Sequence, residues 1–206
     1  WNDVFMQYNR TADGKYLPLS MKTVDTGMGV ERTIAMMQGK ATVFETELFR
    51  PILERLEALC GSNYGAAPET DLSFRIIADH VRAATFILGD DRGVTPSNLG
   101  QGYILRRLIR RSIRHGRKLG LETAFLGELA KEVVAIYGGF YAELLERQPM
   151  IVDEFAKEEA RFSETLKKGE HEFEKLLPNL QKNPQKTIPG RVAFRLYDTY
   201  GFPLDL

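Results

Sequence analysis

The chain has 206 residues, and its 28 Lys plus Arg balance its 28 Asp plus Glu, so a net charge of zero argues against a protein that coats polyanions over its whole surface. One cysteine, Cys60, excludes an internal disulfide framework and a cysteine-based zinc site. The hydrophobic fraction is 43% and the charged fraction 27%. Since there is no signal-peptide pattern and no apolar run near the roughly 20 residues that cross a bilayer, we expect a globular, cytoplasmic protein without a membrane partner.

The N-terminal region predicts a β-hairpin. Side chains alternate from Val4 to Tyr8 in a stretch rich in aromatic and β-branched residues, as in a strand. A D-G turn at Asp13-Gly14 follows, and Tyr16 to Val24 can return as a second strand that Pro18 interrupts. Because two strands are marginally stable alone, we expect the hairpin to belong to a larger sheet, and the opening Trp1 suggests a fragment of a longer protein.

The rest of the chain predicts helices, so the predicted fold class is mainly α. Helical periodicity predicts helices at Ile34–Met37 before Gly39, Phe49–Leu59 before Gly61, Asp71–Leu88 and Tyr103–Leu119 before Gly120. Two later helices follow, of which the second is acidic and runs from about Val152 to Leu177. A short element is predicted at Arg191–Tyr200. Pro178 is expected to end the acidic helix, and Asn179–Pro189 to form a polar linker. We expect two domains, residues 1–40 and 41–206.

The segment Val24–Arg32 (VDTGMGVER) predicts a strand end, a glycine turn and a helix start. Gly27 and Gly29 would let a ligand approach the backbone, and the start of a helix favours an anion. Asp25 could hold a cation such as an ammonium group, and Arg32 could reach a phosphate. An ordinary strand–turn–helix junction explains the same pattern, because G-x-G alone is a weak signal.

A basic helix is predicted in the stretch from Gly93 to Leu121, which contains seven Lys and Arg residues and no acidic residue. Its central cations are Arg106, Arg107, Arg110, Arg111 and Arg114. Like charges at this spacing repel one another, so an opposing charge is expected. Three sources are open: a nucleic-acid backbone, an internal ion-pair lattice with the acidic helix, or a membrane surface.

Four polar residues have ordinary explanations on pattern alone. Asn98 precedes the basic helix and suits a turn cap, while Asp198 near a helix end suits a hydrogen bond to backbone. His80 and His115 are 35 residues apart and lack the spacing of metal ligands, so His80 is expected to be a structural or surface histidine.

Several segments, taken together and in order, resemble the alanyl-tRNA synthetase family of class II aminoacyl-tRNA synthetases. They are Trp1–Arg10, Val24–Arg32, Arg75–Arg82, Pro96–Asn98, Gly102–Arg117 and Phe194–Pro203. The departures, at Asp3 and at Asp91-Arg92, fall where the family varies. The resemblance implies that residues 1–40 close an antiparallel-sheet catalytic domain and contain its motif 3, and that residues 41–206 form a helical tRNA-recognition domain.

The same resemblance implies roles for individual residues. Asp25 would bind the α-ammonium group of alanine, with Asn2 beside the amino acid. Gly27 and Gly29 would line the alanine and ATP pocket, and Arg32 would contact an ATP phosphate. An Asn and an Asp at the positions of Asn98 and Asp198 read the G·U pair of the acceptor stem in the family, and the five central arginines would hold the RNA backbone.

The implied partners are alanine, ATP with Mg²⁺ and the acceptor stem of tRNA-Ala, with no zinc site in this part of the protein. No nucleophilic side chain is expected, because such sites act by positioning and charge stabilisation. Regions with motifs 1 and 2 and with editing activity would lie elsewhere. Two other hypotheses are a stand-alone RNA-binding module derived from a synthetase and a structural helical adaptor without RNA affinity.

We expect the 206-residue chain alone not to activate alanine, because motifs 1 and 2 would be missing. Alanine-dependent ATP–pyrophosphate exchange measures this step. Exchange at a rate near that of a whole synthetase would contradict the expectation.

Overall fold

A computed structural model describes residues 1–182 and 187–198 of the chain, with two strands followed by helices. The elements are β1 (Asn2–Arg10), β2 (Tyr16–Gly27), α1 (Val30–Met37), a 3-10 turn (Val43–Glu45), α2 (Arg50–Cys60), α3 (Pro68–Gly89), α4 (Gly100–Lys118), α5 (Leu126–Tyr137), α6 (Ala142–Glu146), α7 (Gln148–Glu174), α8 (Leu177–Lys182) and α9 (Gly190–Asp198). The predicted mainly α class with an N-terminal hairpin is confirmed.

The chain divides into two compact units, Trp1–Arg50 and Pro51–Leu206. The first unit contains the hairpin, in which β1 and β2 pair antiparallel. The register shifts between Met6, opposite Thr23, and Tyr8, opposite Pro18. Pro18 has no N–H to donate, so β2 continues through it only with this irregularity, and it runs on to Gly27 rather than ending at Val24.

The hairpin exposes apolar side chains on both faces. Exposed large residues are Val4, Phe5, Met6, Tyr8, Tyr16, Leu17, Met21 and Val24. An isolated two-stranded ribbon gains little from such residues, which is consistent with the expectation that it belongs to a larger sheet.

The core of the second unit lies between α3, α4, α5 and α7. Helix α3 packs against α4 and α5, and α7 packs against α5 and α4. Fully buried side chains are contributed by each of the four helices, among them Phe74, Ile77, Leu105, Ile109, Leu126, Leu129, Phe155 and Phe162. At the end of α4, Gly120 has a φ of 83° and occupies the predicted left-handed position after the helix.

The acidic helix differs from its prediction at both ends. It begins at Gln148 with Pro149 in its first turn, where a missing N–H costs no helical bond, and it ends at Glu174. Residues 177–182 then form α8, with Pro178 again in the first turn, so the predicted linker was wrong over this stretch. The following residues 183–186 and 199–206 lie outside the described part of the chain.

A carboxylate of α7 caps the start of α5. Glu159 is buried, and its Oε1 accepts from the backbone N–H groups of Phe125, at 2.9 Å, and Leu126, at 3.2 Å. These N–H groups have no acceptor within the helix, so Glu159 provides the hydrogen-bond acceptor that the start of α5 lacks. Burial raises the pKa of Glu159 to about 6 against the opposing effect of the two hydrogen bonds.

We predict that Glu159→Gln stabilises the protein at pH 7 and that Glu159→Ala destabilises it. The carboxyl group has a pKa of 4.5 in the unfolded chain and about 6 in the folded protein. Stability is therefore lost as pH rises from 4.5 through 6, by about 2 kcal/mol at 1.36 kcal/mol per pKa unit. Glutamine retains an acceptor without the charge, whereas alanine leaves two donors unpaired at about 1–3 kcal/mol.

Urea unfolding of both variants between pH 4.5 and pH 7 measures these differences. The advantage of Glu159→Gln should shrink as the pH falls towards 4.5. An advantage that grew at low pH would contradict the assigned direction of the pKa change.

Candidate functional site

The register of the hairpin places three of the predicted site residues on one face. Asn2 lies opposite Gly27, and Val4 lies opposite Asp25. Because alternate residues of a strand share a face, Asn2, Asp25 and Gly27 point to the same side. A Cβ at Gly27 would have only the Asn2 carbonyl oxygen within 4 Å, at 3.9 Å, so this face is open next to a carboxylate and a carboxamide.

The opposite face carries a separate contact. Thr26 Oγ1 donates to Asp3 Oδ1 at 2.9 Å across the directly paired positions Asp3 and Thr26. The Asp3 carboxylate thus accepts a hydrogen bond from Thr26, whereas the Asp25 side chain has no hydrogen-bond partner among the described residues. Asp25 therefore presents, on the same face as Asn2, a carboxylate without a partner in the described part of the chain.

The glycine turn leads directly into α1. Gly29 is the residue before the helix, with φ −72° and ψ 118°, and no side chain caps its amides. The Arg32 side chain folds back, so that a Cβ at Gly29 would lie 3.5 Å from Arg32 Cδ. Arg32 is exposed. Free amides and a guanidinium at a helix start can bind an anion such as a phosphate group.

Helix α4 carries its cations in two rows. Arg107, Arg111, Arg114 and Lys118 recur at spacings of four, three and four residues and form the outer row. Arg106, Arg110 and Arg117 form the inner row, which contacts acidic side chains of α7. Helical spacing separates the rows because residues three and four apart are neighbours on a helix surface.

The inner row is organised by Glu158 of α7. Its side chain is only 1% exposed, and its Oε1 lies 2.6 Å from Arg110 Nε and 3.4 Å from Arg106 Nε. Arg110 also lies over the ring of Phe162, 4.9 Å from its centroid. A buried carboxylate is stable only with paired charges, so two guanidinium groups are held here. Arg117 makes a more exposed contact of 3.2 Å to Glu170.

The outer row has a different environment. Arg107 and Arg111 are exposed, as is Lys118, and Arg107 lies 5.8 Å from the ring centroid of Tyr103. Arg114 is half-buried and raises the positive potential around His115, together with Lys118 and Arg111. Two of the hypotheses for the basic helix therefore apply to different rows. The inner row forms internal ion pairs with α7, and the outer row is accessible to a polyanion.

The loop before α4 packs closely onto the helix. Ser97 N donates to the Gly102 carbonyl at 3.0 Å, and Ser97 Oγ donates to the Leu99 carbonyl at 2.9 Å. A Cβ at Gly102 would lie 2.3 Å from Ser97 Oγ and 2.4 Å from the Thr95 carbonyl oxygen. Only glycine fits this contact, so the loop that carries Asn98 is held against the first turn of α4.

Asn98 is exposed at the tip of this loop, and its partner is Arg106. Arg106 Nη1 donates to Asn98 Oδ1, and Arg106 Nη2 donates to the Pro96 carbonyl at 3.3 Å. Asn98 keeps one lone pair on Oδ1 and both amide N–H groups for another molecule. The backbone of Asp198 ends α9, but its side chain lies outside the described residues, so the role expected for Asp198 stays a prediction.

Glu158 was not identified individually from the sequence, although a signal for it was present. It follows Phe155 by three residues and precedes Phe162 by four, which places it on the buried stripe of α7. An acidic residue within such a stripe, opposite an arginine-rich helix, predicts a buried ion pair.

Two of the three histidines, His80 and His115, make side-chain contacts within the helices, and the third, His171, is exposed on α7. His115 is buried, and its Nδ1 lies 3.0 Å from Ser73 Oγ, in a pair between α4 and α3. Burial, with the nearby charges of Lys118 and Arg111, lowers the pKa of His115 to about 4, so the ring is neutral at pH 7. His80 Nδ1 lies 3.3 Å from Asp79 Oδ2.

None of the helices in the described part of the chain combines the length and apolar character needed to span a bilayer. Within the same residues, no three His, Cys, Asp or Glu side chains gather in a group suited to a metal ion.

All 206 residues match the family described as tRNA synthetases class II (A). Relatives along the whole chain include proteins named alanine–tRNA ligase from Treponema denticola, at 60% identity, Treponema pallidum, at 56%, and Desulfosudis oleivorans, at 48%. The chain spans 34% of the two Treponema proteins and 23% of the Desulfosudis protein, so it corresponds to about a third or less of their length.

We predict that Gly102→Ala destabilises the protein by about 1–3 kcal/mol, as overpacked substitutions do, despite the higher helix propensity of alanine. The clash is with a backbone oxygen, which cannot move without shifting the loop. Gly139→Ala is the matched control, because a Cβ there meets no atom within 4 Å. Denaturant unfolding measures both, and equal stability of the two variants would contradict the close packing at Gly102.

Proposed function

We propose that the chain, which belongs to the class II (A) tRNA synthetase family, serves in the ATP-dependent ligation of alanine to tRNA-Ala. The names of its relatives supply the amino acid and the tRNA. The structural observation that carries the proposal is the common face of Asn2, Asp25 and Gly27, next to the start of α1.

In this proposal the first unit binds alanine and ATP. The Asp25 carboxylate pairs with the α-ammonium group of alanine, and Asn2 lies beside the amino acid on the same face. Gly27 and Gly29 line the pocket without side chains, and Arg32 contacts a phosphate of ATP. Mg²⁺ bound to ATP would neutralise charge on its phosphates.

The reaction has two steps. The alanine carboxylate attacks the α-phosphate of ATP, which forms alanyl adenylate and releases pyrophosphate. A hydroxyl of the terminal tRNA ribose then attacks the alanyl carbonyl and releases AMP. The residues of this chain act by holding reactants and by compensating charge, so no side chain is required as a nucleophile.

In the second unit, the outer row of α4 is the proposed contact for the RNA backbone. Arg107, Arg111 and Arg114 lie at helical spacing with Lys118, and such cations position a nucleic acid through phosphates without reading its sequence. Arg106 and Arg110 share one carboxylate, so this pair keeps a net positive charge that attracts RNA over a longer range.

Asn98 and Asp198 are the proposed readers of the acceptor-stem G·U pair. The minor groove of an A-form helix is wide and shallow and displays base edges, and a wobble pair leaves the exocyclic amine of guanine free there. The free lone pair of Asn98 Oδ1 and a carboxylate oxygen of Asp198 can accept from that amine. Pairing with cytosine would use one of its two N–H groups, so that only one of the two acceptors could then bond to it.

We predict that the protein binds an alanine acceptor minihelix with G·U more tightly than one with G·C, and that Asn98→Ala or Asp198→Ala removes about 1–3 kcal/mol of this discrimination, by analogy with base contacts in DNA. Fluorescence anisotropy at fixed salt measures it. Asn63→Ala, at another exposed loop asparagine, is the control and should leave it unchanged. Equal affinity of the unsubstituted protein for both minihelices would remove the base-reading role.

A further inference from the structure

We propose that Arg106 is a positioning residue for Asn98 rather than a phosphate contact, and that the buried Glu158 holds Arg106 in place. This inference rests on the proposed reading of the acceptor stem by Asn98. It removes Arg106 from the set of five arginines expected to hold the RNA backbone and gives it a part in specificity.

The first observation is the set of partners around the Arg106 guanidinium. Nη1 donates to Asn98 Oδ1, Nη2 donates to the Pro96 carbonyl at 3.3 Å, and Nε lies 3.4 Å from Glu158 Oε1. Its side chain is only 15% exposed. All three nitrogens of this group therefore face protein atoms, which leaves little of it for a phosphate.

The second observation is the anchor behind Arg106. Glu158 is held on α7 between the buried residues Phe155 and Phe162, and its Oε1 accepts from Arg110 Nε at 2.6 Å. The contact of the same oxygen with Arg106 Nε, at 3.4 Å, is an ion pair, and this buried Nε makes no hydrogen bond within the described residues. Glu158 Oε2 is buried without a hydrogen-bond partner in the described part of the chain, so the contacts to α4 converge on a single oxygen. Arg106 cannot move outward without separating a charge pair in a dry environment.

The contact with Arg106 restricts the orientation of the Asn98 side chain, which is otherwise exposed. A free asparagine at a loop tip samples several orientations, and ordering it on binding reduces affinity for its correct partner. The bond from Arg106 fixes the plane of the carboxamide before RNA arrives and leaves one oxygen lone pair and two N–H groups directed to solvent. Discrimination between base pairs requires this kind of fixed geometry, whereas attraction to phosphates does not.

Arg106→Lys separates the two roles. Lysine keeps the positive charge and can still contact a phosphate, but a single ammonium group cannot bridge Asn98, Pro96 and Glu158 together. We expect the preference for the G·U over the G·C minihelix to fall about tenfold, with the salt dependence of binding unchanged. A phosphate contact would instead leave the preference of Arg106→Lys close to that of the unsubstituted protein.

Arg107→Ala is the matched control on the outer row. It should weaken binding to both minihelices equally and reduce the slope of log K against log salt by about 1. The double variant Asn98→Ala/Arg106→Lys should show no loss of preference beyond that of Asn98→Ala alone, because Arg106 acts through Asn98. An additive further loss would overturn the proposal.

A readout without RNA distinguishes a failure of this inference from a failure of the proposed function. The Ser97 amide donates to the Gly102 carbonyl, so its hydrogen exchange reports whether the loop stays in place. We expect faster exchange of Ser97 in Arg106→Lys and in Glu158→Gln, with thermal unfolding of each variant recorded as a check on folding.

The two readouts, Ser97 exchange and the G·U preference, distinguish the base-reading function from the positioning role of Arg106. If the unsubstituted protein does not distinguish the minihelices but Ser97 exchange rises, the base-reading function fails while Arg106 still positions the loop. If Ser97 exchange and the G·U preference both stay unchanged in Arg106→Lys, the proposal itself is wrong.

Discussion

The interaction on which the second unit depends is the buried carboxylate of Glu158 between two guanidinium groups. Burial makes its charge costly unless it is paired, and the pairing ties α7 to α4 through Arg106 and Arg110. From Arg106 the same network extends to Asn98 and Pro96, so a charge in the core is connected to an exposed loop that the Ser97 and Gly102 contacts also hold. One ion cluster thus joins the packing of the helices to the geometry of a surface residue.

Because of this pairing with Glu158, the cations of the arginine-rich helix α4 fall into two groups. The sequence shows only a run of cations without acidic neighbours, and its overall charge balance hides their distribution. In the fold, the inner row pairs with acidic side chains of α7, and the outer row, from Arg107 to Lys118, is exposed except at the half-buried Arg114. We infer that the outer row supplies affinity that depends on salt, while Arg106 of the inner row supports Asn98, the proposed reader of the base pair.

Much of the fold was predictable from local patterns. The alternation of side chains from Val4 to Tyr8 predicted the hairpin, and Gly120, which has a left-handed backbone conformation, correctly predicted the end of a helix. Two features were not predictable in this way. In the sequence, Pro178 indicates the end of a helix, but proline is equally suited to the first turn of a new helix, which is its place in α8. The division of the arginines depends on which face meets α7, and that is a tertiary property that periodicity alone leaves open.

A structure of the protein bound to an acceptor-stem minihelix would distinguish positioning by Arg106 from phosphate binding, because it shows which cations leave their protein partners on binding. We predict that the guanidinium groups of Arg107 and Arg111 lie within hydrogen-bond distance of phosphate oxygens. We also predict that Arg106 remains on Asn98 and Glu158 while Asn98 faces the G·U pair. A structure in which Arg106 releases Asn98 to bind a phosphate would contradict the positioning role.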